Sequence, residues 1–558
     1  MLQFSISKFL LLQPLMDHLE LFANKPGNNE EYFDDEAYKY IKSGTNVLLD
    51  VIKSTLGPKG TMKILQGQQK HAITNDGATI LGNLRIDSPS ARVIIDSSKA
   101  QDFEEGDGTT SIAILAALIV KHAYESKIKP IKLINGLTLA IEKVEEILNH
   151  KKVAATDEDI RSLVKTTLNS KILNLHLSLY TDICIKAIDN LDQDNDLSLI
   201  SIIKGHGDLS ESKWIDGIVL EKNICYKNNN DITNKLANIE IKDDVTKNNS
   251  EVVLFKMNNP KILVANTALD FDKIKIFTSK IQVNSISELE KIETAEKERL
   301  MDKVNNICKL DFDIFINRQI IYDFNMQLLL KHNKVIIENA DFDGVEKLGK
   351  VLGGKVLSHF YEAHDQSIVG TCKQVEKIQI KDKYFIKFTG CPNKGSSTIM
   401  LFASSEAFLE EAERSIHDAL CVLKRIKNDK YILLGGGNTE IMLAMELLKY
   451  SQEIKTVESE GVAVFSKALF EFVEILTENC GFDPKEFKSS ITSLYNTKLN
   501  YTKNIFTQGL DIKTGKPACM KTNKITEGYT MKLRVLKAAL ESAQSLLKVN
   551  VIVKINST

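Results

Sequence analysis

From about residue 35 to residue 150, apolar residues recur every three or four positions with strong helix formers between them, as in AILAALIVKHAYES and AIEKVEEIL. That spacing puts the apolar side chains on one face of an α-helix, so the stretch is predicted to be mostly helical. From roughly 431 to 558 the texture is the same: EIMLAMELLKY, GVAVFSKALFEFVEIL and MKLRVLKAALESAQSLL each read as amphipathic helices. The middle differs. Short β-branched runs, KILVANTALD, DIFINRQIIY, NKVIIENA and KYFIKFTG, alternate with turn residues and helices, which predicts an α/β or α+β domain inserted between two helical halves.

Two segments break this pattern. Residues 223–259 are dense in Asn, Lys and Asp and read as a solvated loop insertion, because so little apolar surface cannot offset the entropy of ordering it. Residues 281–303, IQVNSISELEKIETAEKERLMDK, form a highly charged helical segment with a thin apolar stripe; on pattern alone this is a solvated surface helix. No internal repeat of fixed period is visible.

Composition narrows the class. At 558 residues the chain is too long for one hydrophobic core, so two to four domains are expected. With 43% hydrophobic and 26% charged residues, it resembles an ordinary folded protein, neither fibrous nor disordered. Lys plus Arg number 72 against 74 for Asp plus Glu, so no global field draws the chain onto nucleic acid or an anionic membrane. The eight cysteines are scattered, with no CxxC pair and no His at zinc-ligand spacing, which fits a reducing cytosol better than a disulfide framework. The opening MLQFSISKFLLLQPL carries Lys8 inside its apolar run, with Asp17 and Glu20 close behind. It reads as a helix or a disordered extension, not a signal peptide. No segment reaches the roughly 18 uninterrupted apolar residues that span a bilayer.

Three short segments gather small, acidic and hydroxyl residues where a helix should begin. In TLGPKG, Leu56, Gly57, Pro58 and Gly60 follow the helical run VLLDVIKS; glycine lets backbone amides approach a phosphate and proline fixes the turn, although a plain helix-ending turn has the same look. In NDGATIL, Asp76 and Gly77 open an apolar run, where an aspartate serves equally as a helix cap. In EEGDGTTSIAILAALIV, Asp107 lies between Gly106 and Gly108, and Thr109, Thr110 and Ser111 open a helix. Free amides at a helix N-terminus with three hydroxyls make an anion cradle, and Asp107 adds a hard oxygen ligand suited to Mg²⁺. This third segment is the most specific, with simple capping as its alternative.

Downstream, LLGGGNTE sets Gly435, Gly436 and Gly437 between a strand-like run and a helix, as close approach to a nucleotide requires. EEAERSIHDALCVLKR is a helix bearing Asp418; a lone helical aspartate is usually solvated. Two familiar nucleotide motifs fail: GVEKLGKV nearly matches Walker A, but Val351 stands where a magnesium-holding Ser or Thr belongs, and GDGTTS lacks the third glycine of a dinucleotide fingerprint. No HRD or DFG set marks a protein kinase.

In order along the chain, TLGPKG, NDGATIL, GDGTTS, HDAL, and GGG with Glu440 after it closely resemble the nucleotide-site signatures of group II chaperonins, the TRiC/CCT family. KILVANTALDFDKIKIF, FINRQIIYD, ENADFDGVEKLGKV and ERSIHDALCVL further resemble one subunit type of its cytosolic eukaryotic members, and the likeness runs from about residue 40 to the end. The resemblance implies a multidomain α and α+β chain. A helical equatorial domain would comprise residues 1–151, with 1–34 as an extension, and 431–558. A small intermediate domain would comprise 152–220 and 387–430, and an α/β apical domain 221–386, including a helical protrusion at about 276–303. On that reading the charged helix belongs to a built-in lid.

The resemblance also implies roles. Asp107 matches the magnesium ligand, and Asp76 and Asp418 match the acids that position the attacking water. Leu56, Gly57, Pro58, Gly77, Gly108, Thr109, Thr110, Ser111, Gly436 and Gly437 match positions around the nucleotide. Asp511, in QGLDIKTG, matches a position near the ribose and base, and Lys171, after TTLNS, is a weaker match near the γ-phosphate. The implied cofactors are ATP and Mg²⁺. The implied partners are paralogous subunits in a double ring and unfolded or nascent proteins such as cytoskeletal proteins, with no nucleic acid and no membrane, in the cytoplasm. One departure is local: where the family commonly has Arg-Gly before the Asp418 helix, this chain has Phe402 and Ala403. Two other classes are weighed beside this one. A scaffold homologue that has lost turnover conflicts with the presence of all three acids, and a small-molecule kinase needs a compact acceptor pocket that the sequence does not reveal.

Overall fold

The computed structural model describes residues 30–66, 71–84, 86, 88–191, 196–226, 239–240, 251–269, 286–338, 340, 342–358, 366–380, 383–393, 395–501 and 506–554. The chain forms two compact units. Among the described residues, one gathers those from 30 to 66, 74–154 and 431 onward; the other comprises 71–73 and those within 155–430.

The first unit is helical because its most apolar helix can be buried only by other helices. Thr109–Glu125 carries a continuous apolar run from Ile112 to Val120, all of it at most 1% exposed, as a helix apolar all round requires. It packs against Asp34–Ile52, Pro89–Glu105, Ser459–Asn479 and Tyr529–Leu547. Pro130 starts the Pro130–Lys151 helix at its first turn, where a missing amide costs nothing. A small antiparallel sheet places Tyr431–Leu434 between Thr526–Gly528 and Val153–Ala154. Glu30–Phe33 pairs with Val551–Lys554 in register Phe33 to Val551.

Among its described residues, the second unit holds three sheets. In the first, Ser397–Ala403 lies between a parallel Ile200–His206 and an antiparallel Lys213–Asp216, with the helices Asp157–Asn169, Leu177–Asp189 and Glu406–Asp429 nearby. Phe402, the departure noted in the sequence, is 5% exposed and joins Met400, Phe385 and Ile378 in an apolar cluster. Its ring is accommodated because its strand neighbour is Gly205: a Cβ there would stand 2.6 Å from Phe402 Cε1.

The other two sheets enclose the α/β core predicted from the β-branched runs. Lys261–Ala265, Ile314–Asn317 and Val335–Ile337 run parallel. Their side chains alternate strictly: Ile262, Val264, Ile314, Ile316, Val335 and Ile337 enter one core, while Leu263, Ala265, Phe315 and Ile336 enter another. A parallel sheet buried on both faces needs apolar residues at every position. The five-stranded antiparallel sheet runs Ile218–Leu220, Lys383–Thr389, Gln374–Ile380, Glu251–Asn258 and Ile239–Glu240.

That last sheet corrects the loop expected over 223–259. Residues 251–258 are a strand with Phe255 and Met257 buried, and Ile224 is buried with Cys225 bridged to Ile336. The alternation Phe255, Met257 is a strand signal that averaging over the Asn-rich segment hid; residues 227–238 and 241–250 lie outside the described residues. The charged segment is helical over Ile286–Cys308, with Leu300, Val304 and Ile307 as its buried stripe and residues 293–299 exposed; residues 276–285 lie outside the described residues, as do the first 29. All eight cysteines are free thiols. Among the described residues, no helix is long and apolar enough to cross a membrane.

Candidate functional site

Most of the residues predicted from chemistry fall in the first unit, at the start of its helices. Gly106 closes the Pro89–Glu105 helix with φ 70°, and Gly108 opens Thr109–Glu125 with φ 83°. Asp107 therefore stands alone between a helix end and a helix start. Its Oδ1 accepts the Gly108 amide at 2.6 Å, and Gln101 Nε2 donates to its carbonyl at 3.0 Å. Its Oδ2 has no hydrogen-bond partner among the described residues. Asp107 does not cap the helix behind it, since the N-cap is Gly108, which has no side chain to offer; the first-turn amides of Thr109, Thr110 and Ser111 are left for an anion.

Asp76 does both things open to it. It is the N-cap of Gly77–Asn83, with Oδ2 accepting the Thr79 amide at 2.8 Å, and its Oδ1 accepts the Thr109 hydroxyl at 3.2 Å. The carboxylate thus ties one helix start to another while 8% exposed. Gly77 permits the contact: a Cβ there would lie 2.6 Å from Thr110 Oγ1 and 2.7 Å from its amide nitrogen.

The remaining loops fold onto shared neighbours. Gly57 and Gly437 both back onto the side chain of Leu476, and Asn479 Nδ2 donates to the carbonyls of Lys53 and Leu56 at 2.8 and 2.9 Å, fixing the turn that leads into Pro58. Gly436 and Gly437 adopt φ of 64° and 74° as Tyr431–Leu434 turns into the Asn438–Glu453 helix. The Leu510 amide donates to the Gly436 carbonyl at 2.9 Å, which sets Asp511 beside the triple glycine. The Asp511 carboxyl is held below the usual range by the Thr514 hydroxyl and Lys513 amide, with the charges of Lys513 and Lys59 adding to them. Lys59 belongs to TLGPKG, so the first and last motifs of the unit share one electrostatic neighbourhood.

A group that sequence reasoning missed lies among these loops. Lys532 Nζ donates to Glu440 Oε1 at 2.6 Å and also pairs with Glu527, with the lysine side chain 8% and Glu440 3% exposed. Burial works against the ammonium, but the two carboxylates prevail and hold Lys532 charged well above the usual lysine range. Burial raises the Glu527 carboxyl, opposed by Lys532, with Glu440 and Asp107 raising it further. One signal was available: Lys532, Val535, Leu536 and Ala539 share the buried stripe of the Tyr529–Leu547 helix, and a lysine on an apolar stripe calls for a partner.

The second unit holds Lys171 and Asp418, which the structure brings together. Lys171 Nζ is 2.7 Å from Asp418 Oδ2, with side chains 9% and 8% exposed. Asp418 lies on the buried face of Glu406–Asp429, beside Ser415, Ala419 and Val422, whereas a solvated helical aspartate was the simple expectation. His417, its neighbour in sequence, is exposed.

Against known proteins, residues 48–557 match the model of the TCP-1/cpn60 chaperonin family. The chain belongs to that family. This chaperonin is 43% identical over 537 residues to T-complex protein 1 subunit beta of Encephalitozoon cuniculi, covering 96% of this chain and 98% of that protein. It is 37% identical to the protein of the same name from Saccharomyces cerevisiae, over 90% of this chain and 92% of that one. With the human protein of that name the identity is 36%, over 92% of each. The segments that resembled a single subunit type thus agree with relatives that share one subunit name, and a chaperonin acts in protein folding.

Proposed function

We propose that this chaperonin is an ATP-hydrolysing subunit of a cytosolic double ring built with paralogous subunits, which encloses unfolded or nascent proteins such as cytoskeletal ones, with no nucleic acid and no membrane as partner. The observation that carries the reading is the uncapped Thr109–Glu125 helix start, flanked by Asp107 and by Asp76 on the Thr109 hydroxyl. Positioning and charge neutralisation supply most of phosphoryl transfer, so such a site needs few side chains.

The residues fit MgATP. Asp107 Oδ2 is free to ligate, and a Cβ at Gly77 would crowd the Thr109 and Thr110 end of the cradle. A single available carboxylate oxygen suits Mg²⁺, which is commonly held by one or two carboxylates plus substrate phosphates. Bound there, the ion would neutralise developing phosphate charge. Asp107 would hold it. The amides of Thr109, Thr110 and Ser111, with Leu56, Gly57, Pro58, Gly77 and Gly108, would line the phosphates. Gly436, Gly437 and Asp511 would meet the nucleoside, Asp76 and Asp418 would orient the attacking water, and Lys171 would reach the γ-phosphate.

In this reading residues 1–151 and 431–558 are equatorial, 152–220 and 387–430 intermediate, and 221–386 apical, with the protrusion at about 276–303. Because Asp76 and Asp107 fall in the equatorial part and Asp418 in the intermediate part, turnover would require closure of a hinge, coupling hydrolysis to enclosure. Asp418→Ala in the assembled complex tests it: ATP turnover by this subunit is lost while nucleotide binding persists. Unchanged turnover refutes the assignment.

A further inference from the structure

The first turn of the Asn438–Glu453 helix has three side chains able to cap it, and all three are turned elsewhere. Asn438 Nδ2 donates to the carbonyls of Gln508 and Phe506 at 2.7 and 3.3 Å, and Thr439 Oγ1 donates back to the Leu434 carbonyl at 2.8 Å. Glu440 is the third helical residue, the position from which a glutamate ordinarily reaches back to the N-cap amide. Instead its Oε1 accepts from Lys532 at 2.6 Å, and its Oε2 is buried without a hydrogen-bond partner. The N-cap, Gly437, has no side chain. The Asn438 amide turns back to the Gly435 carbonyl at 3.2 Å, and the next two amides, of Thr439 and Glu440, are thereby left uncapped by any of these side chains and open to an anion.

Lys532 also holds Glu527, whose carboxylate braces the turn before that helix: a Cβ at Gly435 would stand 2.8 Å from Glu527 Oε1. Two residues on, Arg534 pairs with Glu105 at 2.7 Å and with Glu104, at the end of the helix that leads into Asp107. Val535 packs against Gly108, where a Cβ would be 2.6 Å from its Cγ2. One short stretch of Tyr529–Leu547 therefore meets the Gly108 turn directly, through Val535, and the Gly435–Gly437 turn indirectly, through the Glu527 and Glu440 carboxylates that Lys532 holds. The charge matters as well. Lys532 reduces two buried carboxylates to a net single negative charge beside a site meant for an anion, and without it a phosphate would face both.

We propose that Lys532 is a positioning residue for nucleotide: by holding Glu440 away from its own helix and Glu527 against Gly435, it keeps the second helix start of the site uncapped and its glycine turn in place. The inference rests on the nucleotide reading above. It is tested in the assembled complex by photo-crosslinking azido-ATP and quantifying labelled peptides of this chain by mass spectrometry as nucleotide is titrated. Lys532→Met is expected to raise the half-saturating concentration at least tenfold, and Lys532→Arg to stay within about twofold of wild type.

If Lys532→Met does not assemble, the pair Glu440→Gln with Lys532→Met, which keeps the net charge of the cluster, gives the same reading, since the introduced glutamine is then free to cap the helix. Wild-type half-saturation in an assembled Lys532→Met or paired variant overturns the role of Lys532, as does Lys532→Arg labelling as weakly as Lys532→Met. A wild-type chain that takes no label while its neighbours do overturns the nucleotide reading itself.

Discussion

Lys171 Nζ and Asp418 Oδ2 are 2.7 Å apart in a pair that is more than nine-tenths buried. Such a pair adds little net stability over apolar residues, but removing one member of a buried pair costs about 3–5 kcal/mol. Lys171→Met and Asp418→Asn should each destabilise the second unit, the former by about 3 kcal/mol, and the double variant should cost clearly less than the two together. Urea denaturation of the four chains supplies the cycle. Additive losses would mean that the pair does not form.

Gly77→Ala should act on the site with little effect on the core. Its Cβ would meet the Thr110 amide nitrogen at 2.7 Å, so the Gly77–Asn83 helix must move away from the Thr109–Glu125 start and the Asp76 to Thr109 hydrogen bond must lengthen. The expected result is a loss of nucleotide labelling of ten-fold or more with thermal stability lowered by only about 1–3 kcal/mol. Wild-type labelling would show that the two helix starts need not touch.

Cys519 should be the first thiol to react among those whose acidity is perturbed. Burial pushes it up, but the Thr507 and Thr522 hydroxyls and the Thr522 and Lys521 amides bring it down to about 7. Burial instead pushes Cys184 and Cys372 up to about 12 and Cys391 to about 11. The thiolate is the nucleophile, so brief iodoacetamide treatment at pH 7.5 should modify Cys519 well ahead of those three. Peptide mapping that finds any of them alkylated first would contradict the assignment.

Glu471 should make stability depend on acid. Burial would raise its carboxyl, yet His122 Nε2 at 2.7 Å and Lys121 Nζ at 2.6 Å draw it down to about 2. A carboxyl depressed on folding contributes stability that is present above its ordinary value, near 4.5, and lost as pH falls through the folded value. Glu471→Gln should therefore melt below wild type at pH 7, with the gap closing as pH drops from about 5 towards 2. A gap constant over that window would show that the carboxylate is unpaired.

The helical halves were legible because AILAALIVKHAYES and MKLRVLKAALESAQSLL write their burial into a local period, and the parallel strands were legible because KILVA and DIFIN are apolar at consecutive positions. The strand at 251–258 was not, since its partner at Gln374–Ile380 is far along the chain and its neighbours are rich in asparagine. At the site, the residue types of GDGTTS predicted a helix start, which the structure shows with Gly108 as its side-chain-free N-cap, and the bland reading of Asp76 as a cap proved true of one oxygen while the other reached Thr109.

By itself, the sequence determined most of the segments that become helices or strands and which helix starts gather glycine, acid and hydroxyl residues, because backbone preference, apolar period and glycine turns act over a few residues. Only the tertiary structure decided that Asp418 is buried against Lys171, that Phe402 rests on Gly205, and that Lys532 gathers Glu440 and Glu527. A charge buried in the interior must find its partner wherever packing supplies one, and packing joins residues that local pattern never relates.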